Sequence, residues 1–232
     1  MLPEYKERIM SNIRQYDEYY CIFYPVLKDV PELVRTLKEY GAEEGRLTSH
    51  DFMGLLKNRI RCFVNFALKD DCIYIFESVI FQQVLNELVL YSDCTADEMV
   101  AFILEITEIL KPLHPMIFYL KPNDLKAQIN KVAAERLSDN YDLYPDWIDW
   151  MVEFVKKPKY GKRNAVKSRE DLLAYFMERA EIEKMAFEEL TIVKKEVFVG
   201  HTDYDAENQT VYNEIVKYLS DQAIGTPLQS SL

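Results

Sequence analysis

The sequence predicts an α/β fold in which a small, mainly parallel sheet is flanked by helices. Short apolar runs rich in β-branched and aromatic residues recur along the chain, each too short for a capped helix. Longer segments between them carry helical periodicity and N-cap residues. Alternation of the two at these lengths is the pattern of strands covered on both faces by helices.

In chain order, the first predicted strand is residues 20–24, ending at Pro25. Residues 49–68 place Phe52, Leu55, Leu56, Ile60, Phe63 and Ala67 on one stripe of a helix. A second strand, Cys72-Ile73-Tyr74-Ile75-Phe76, follows the turn-like Lys69-Asp70-Asp71. Residues 79–90 are apolar nearly all round and predict a buried helix, for which periodicity leaves the core and a homodimer interface both open. Residues 95–111 open with Thr95 as N-cap and Glu98 three positions on, a capping pattern. The third strand, residues 116–120, follows Pro112 and Pro115. Helices are predicted over 123–137 and 168–190, the latter with Ser168 as cap and Asp171 three residues later. A weaker fourth strand lies at 196–200 or at 191–195, and a helix at 210–219 closes the fold. The expected organisation is one domain over 1–224 with a flexible tail, 225–232. Three or four strands make a small sheet, or a sheet from which a flanking strand is missing.

Bulk properties narrow the function. The 232 residues hold 28 Lys and Arg against 39 acids, a net charge of -11, which disfavours nucleic-acid or anionic-membrane binding through bulk charge. Cys21, Cys62, Cys72 and Cys94 form no CxxC pair, and the expectation is reduced thiols packed in a cytosolic core. His50, His114 and His201 lack metal-ligand spacing. With no apolar run long enough to span a bilayer and no signal-like start, the expected address is the cytoplasm.

Several short motifs stand in a particular order. The second predicted strand ends Phe76-Glu77-Ser78, and Phe81-Gln82-Gln83-Val84 follows. Lys157-Pro158-Lys159-Tyr160-Gly161-Lys162-Arg163-Asn164 comes much later, then Leu172 to Arg179 with the sequence LLAYFMER. Over residues 17–219 this order resembles a bacterial group of P-loop kinase-like proteins related to the thymidylate and deoxynucleoside kinases. Gln83-Val84 stands where that group has Asn-Pro, and no GxxxxGK[ST] occurs. Residues 41–46, Gly-Ala-Glu-Glu-Gly-Arg, have the wrong spacing and Arg in place of Lys. The resemblance thus implies a kinase-like fold without its first strand–P-loop–helix unit. It also implies a truncated or degenerate nucleoside or nucleotide kinase, using Mg-ATP and transferring a phosphoryl group to a small substrate. The alternative is a non-catalytic scaffold that binds a protein or an anionic small molecule.

Each candidate residue carries two readings. Glu77, at a strand's carboxyl end, would orient a Mg²⁺-bound water or accept a substrate proton; otherwise it caps the following helix. Residues 156–169 hold seven cations and no acid. They read as a phosphate-facing lid using Lys159, Lys162 and Arg163, or as a solvated basic loop. Arg136 is either a lid arginine, as the resemblance implies, or a cation at a helix C-terminus. Arg59, placed by the resemblance, and Gln82 and Gln83, through their amides, are the substrate-binding candidates. Tyr141, Tyr144, Trp147 and Trp150 would stack on a base or pack in a core or interface.

Overall fold

The structure is a computed structural model that describes residues 5–16, 19–22, 27, 29–39, 41–141, 143–199 and 204–225. Helix dominates, and the one parallel sheet among the described residues has two strands, so the α/β class holds. Contacts divide the chain into two compact units. The first combines residues 1–115 with 149–191, and the second combines 116–148 with 192–232.

The first unit opens with α1 (Lys6–Ser11), β1 (Ile13–Tyr16), β2 (Tyr19–Ile22) and α2 (Pro31–Lys38). The predicted strand at 20–24 is therefore an arm of an antiparallel hairpin, Ile13 opposite Ile22. Only residues 17–18 connect the arms, far too few for a parallel crossover. Residues 23–24 of that prediction lie outside the described residues. Ile9, Leu27 and Leu33 form a small core of their own beneath this region.

The main core is helical. In α3 (Ser49–Ala67) the Thr48 side chain accepts the Asp51 N–H, and Phe52, Leu55, Ile60, Val64 and Ala67 are buried. A single π-helical turn, Val79–Gln83, leads into α4 (Val84–Tyr91), whose Val84, Leu85, Leu88 and Leu90 are almost fully buried within the chain. The capping box of α5 (Ala96–Leu110) closes as the sequence requires, Thr95 and Glu98 each bonding the other's backbone N–H. A 3₁₀ turn, Lys111–Leu113, ends this stretch. After the excursion into the second unit come most of α7 (Trp147–Lys156), then α8 (Lys159–Arg163) and α9 (Arg169–Glu189). The Ser168–Asp171 capping box starts α9, and α9 packs on α4 and α5.

The second unit holds β3 (Met116–Pro122), α6 (Leu125–Glu135), β4 (Val193–Val199) and α10 (Tyr204–Gly225). The two strands pair in parallel, from Met116 opposite Val193 to Pro122 opposite Val199, and α10 packs on β4. Both placements of the fourth predicted strand overlap β4, while Gly200 lies outside the described residues. With one neighbour each, these strands are only partly covered, and Leu120 is exposed where a buried strand was expected.

The largest departure is at residues 72–76. They form neither helix nor strand, and Ile73, Ile75 and Phe76 are exposed. Among the described residues no strand pairs with them, so the parallel-strand burial that their composition suggests is not made. Cys62 and Cys72 are free thiols on the surface and Cys94 is half-buried, which corrects the expected core thiols. The cause is local. Cys62 lies on the outer side of α3, away from its buried stripe, and Cys72 shares the exposure of its unpaired segment. No described helix is long and apolar enough to cross a membrane.

Candidate functional site

The turn from α7 into α8 is where the basic run acquires shape. Pro158 stands as N-cap of α8 in extended backbone, and Tyr160 and Gly161 are buried. A Cβ on Gly161 would lie 2.1 Å from the Val155 carbonyl oxygen and 2.5 Å from Lys156 Cα, so only glycine fits beneath α7. Tyr160 donates its hydroxyl to Glu178 Oε2 at 2.9 Å and meets the Tyr175 ring edge-on, centroids 5.2 Å apart. Burial is the main force raising the Tyr160 phenol, with the Glu178 hydrogen bond adding to it. These contacts seat the segment as a fixed wall that carries cations on its outer side.

That wall bounds a cavity of about 480 Å³ lined by Lys157, Lys159 and Lys162, with Pro158, Phe154, Tyr91, Glu44 and Gly45 completing it. Lys159 is paired with Asp93, and the pairing lowers the Asp93 carboxyl. Lys157 and Lys162 are exposed and carry no ion pair among the described residues. Glu44, the one acid in the lining, is engaged by Arg46 at 2.9 Å. The lining therefore has uncompensated positive charge beside two aromatic rings. Burial pushes the Tyr91 phenol up to about 12, so its hydroxyl remains protonated at neutral pH.

The opposite side of the cavity is a backbone nest. Glu44 and Gly45 are both left-handed, at φ 63 and 70, and their successive N–H groups point to one carboxylate, Glu87, at 2.7 Å each. Glu87 is only 8% exposed, and burial raises its carboxyl despite these two hydrogen bonds. The 41–46 stretch that fails as a P-loop thus does cradle an anion, through the Glu44 and Gly45 N–H groups, but the anion belongs to the protein. A Cβ on Gly45 would also stand 2.7 Å from the Tyr91 ring.

Helices α4 and α9 are tied by polar groups. Asn86 Oδ1 accepts from the Tyr175 hydroxyl and from Arg179 Nη1, both at 2.7 Å. The Arg179 guanidinium lies over Phe176, 5.4 Å from its centroid. Its Nε is 3.0 Å from Glu183 Oε1, close enough for an ion pair but angled too poorly for a hydrogen bond. Three members of the 172–179 motif, Tyr175, Phe176 and Arg179, are thus structural.

The structure separates the other sequence candidates. Lys159 and Lys162 share the cavity. Arg163 turns onto the Tyr160 ring and lines a second cavity of about 320 Å³ with Cys94, Met99, Glu178 and Glu181. Arg59, Glu77, Gln82 and Gln83 are exposed and line neither cavity. Gln82 and Gln83 sit on the π-helical turn, outside the buried helix expected for them. Arg136, in the second unit, is the exposed C-cap of α6 and stacks over Trp147 at 5.5 Å. Trp150 stacks on Phe154 at 5.3 Å, and Tyr141 and Tyr144 are exposed. Lys157 belonged to the recognised charge run, whereas Tyr91, Phe154 and the nest had no motif to announce them. Among the described residues no group of three His, Cys, Asp or Glu is placed to hold a metal ion, and Glu77 has no such companions. Searches against protein-family models, characterised proteins and solved structures return no match.

Proposed function

We propose that this chain is a non-catalytic binding module for a small phosphate-bearing molecule, with the Lys157–Lys159–Lys162 cavity as its site. The reading is the degenerate-scaffold alternative to a P-loop kinase. The observation that carries it is the convergence of three lysines on one cavity with two aromatic walls, while Glu77 stands apart. Lysines act as point charges for phosphate oxygens. Tyr91 and Phe154 offer flat apolar surface to a base or other ring, and the protonated Tyr91 hydroxyl supplies a neutral donor. A nucleotide such as ATP fits this pairing of polyanion and ring. No residue of the lining is a free carboxylate or imidazole placed to take a proton from an attacking hydroxyl, so the reading assigns binding without transfer.

Calorimetric titration of ATP and of inorganic pyrophosphate tests it. Lys157→Ala combined with Lys162→Ala is expected to lower affinity by about tenfold or more, with a weaker salt dependence than the parent. Unchanged affinity in that variant, or phosphoryl transfer by the parent that Glu77→Gln abolishes, would overturn the reading.

A further inference from the structure

Residues 72–76, apolar and β-prone, belong to neither helix nor sheet. Their aromatic side is seated on α3: Phe63 meets the Tyr74 ring at 5.1 Å and the Phe76 ring at 5.0 Å, both nearly perpendicular. The Tyr74 hydroxyl bonds Asp70 Oδ2 at 2.6 Å, and Ser78, left-handed at φ 62, turns the chain away at the other end. Strand alternation then puts Ile73 and Ile75 on the opposite side, where they are 68% and 85% exposed. The backbone N–H and C=O groups of 72–76 meet no partner among the described residues. A segment held by Tyr74 and Phe76 against Phe63 has less conformational entropy left to lose on pairing.

We infer that residues 72–76 are a docking strand, completed by an extended segment of another protein that carries apolar alternating residues between Lys or Arg ends. The charges flanking the segment select this occupant. Asp70 and Asp71 precede it and Glu77 follows. A second copy of the chain pairing antiparallel about Tyr74 would set Asp71 opposite Glu77; a parallel, in-register copy would set each acid opposite itself. Like charges directly across a ladder destabilise it, so both homotypic arrangements are disfavoured. Basic ends on the partner turn the same positions into attractive pairs, and the chain's net charge of -11 favours the encounter. Main-chain bonding supplies the affinity and the Ile73–Ile75 side supplies apolar burial.

The test uses the full chain and two labelled peptides that share a core of alternating valine and threonine. One core lies between paired lysines and the other between paired glutamates. The lysine peptide is expected to bind at least about tenfold more tightly, since opposite-charge and like-charge cross-strand pairs act at both ends. Amide exchange at 72–76 is expected to slow when it is bound. Ile75→Pro, at an exposed site outside the core, is expected to abolish binding without altering the thermal midpoint. Equal affinity for the two peptides overturns the proposal, as does failure of the lysine peptide to slow exchange at 72–76. So does concentration-dependent protection of 72–76 accompanied by a dimer in sedimentation, because the occupant is then a second copy.

Discussion

Gly45 and Glu87 show how much rests on single atoms beside the cavity. Gly45 is left-handed and its α-hydrogen faces the Tyr91 ring, so a methyl group there meets both a φ penalty and a clash. Gly45→Ala is expected to destabilise the chain by about 1–2 kcal/mol from the left-handed backbone alone, with the clash adding to that, as read by urea unfolding. Glu87 makes a prediction about pH. Its folded carboxyl is raised above the ordinary 4.5, chiefly by burial. The folded state therefore holds a proton through the window between the ordinary and the raised value, in which the unfolded chain has lost it. That contribution is fully present below the ordinary value and is lost as pH rises through the raised one. Glu87→Gln, which does not titrate, is expected to flatten this downward slope in the stability profile. Urea denaturation of both forms across mildly acidic to neutral pH measures the difference. Nothing local in the sequence marks Glu87, because its two partners are more than forty positions away. Its position among the valines and leucines of α4 was visible; the nest that satisfies it was not.

The secondary elements differ sharply in how well their own residues announce them. Helices α5 and α9 were readable because capping boxes are local chemistry: Thr95 with Glu98 and Ser168 with Asp171 fix the first turn whatever lies beyond. β4 was only a weaker candidate, since Lys194, Lys195 and Glu196 dilute its apolar residues, whereas β3 was found because its composition is strongly β-prone, although their parallel register depends on residues far away. Residues 72–76 share that composition and yet stand alone, because pairing needs a neighbour and composition cannot supply one. The basic run was legible as charge, but its division between two cavities follows from the buried turn of α8, which sequence pattern does not reveal. Gly161 controls that turn. Gly161→Ala is expected to cost about 1–3 kcal/mol in thermal or urea unfolding through overpacking against α7. It should also weaken pyrophosphate binding, because Lys159 and Lys162 ride on the displaced helix. Asn86→Ala acts on the tie between α4 and α9. It removes the acceptor shared by the buried Tyr175 hydroxyl and the half-buried Arg179 guanidinium and is expected to cost about 1–3 kcal/mol in urea unfolding.

Across the entire chain, the α/β class was legible, but the extent of sheet was overestimated, since each unit carries a single two-stranded ladder among the described residues. The path of the backbone matters more than the count of strands. The first unit is begun by residues 1–115 and finished by 149–191, while the second is begun by 116–148 and finished by 192–232. During synthesis from the amino terminus, α4 and α5 leave the ribosome before the α9 surface that covers them exists. β3 likewise waits for β4, the whole of α7, α8 and α9 being made in between. Neither unit can close while the other is still untranslated, so cotranslational folding is delayed until late in elongation. Arrested nascent chains that stop just short of α9 should then remain protease-sensitive throughout α4 and α5. Those that present α9 outside the tunnel should protect both helices together.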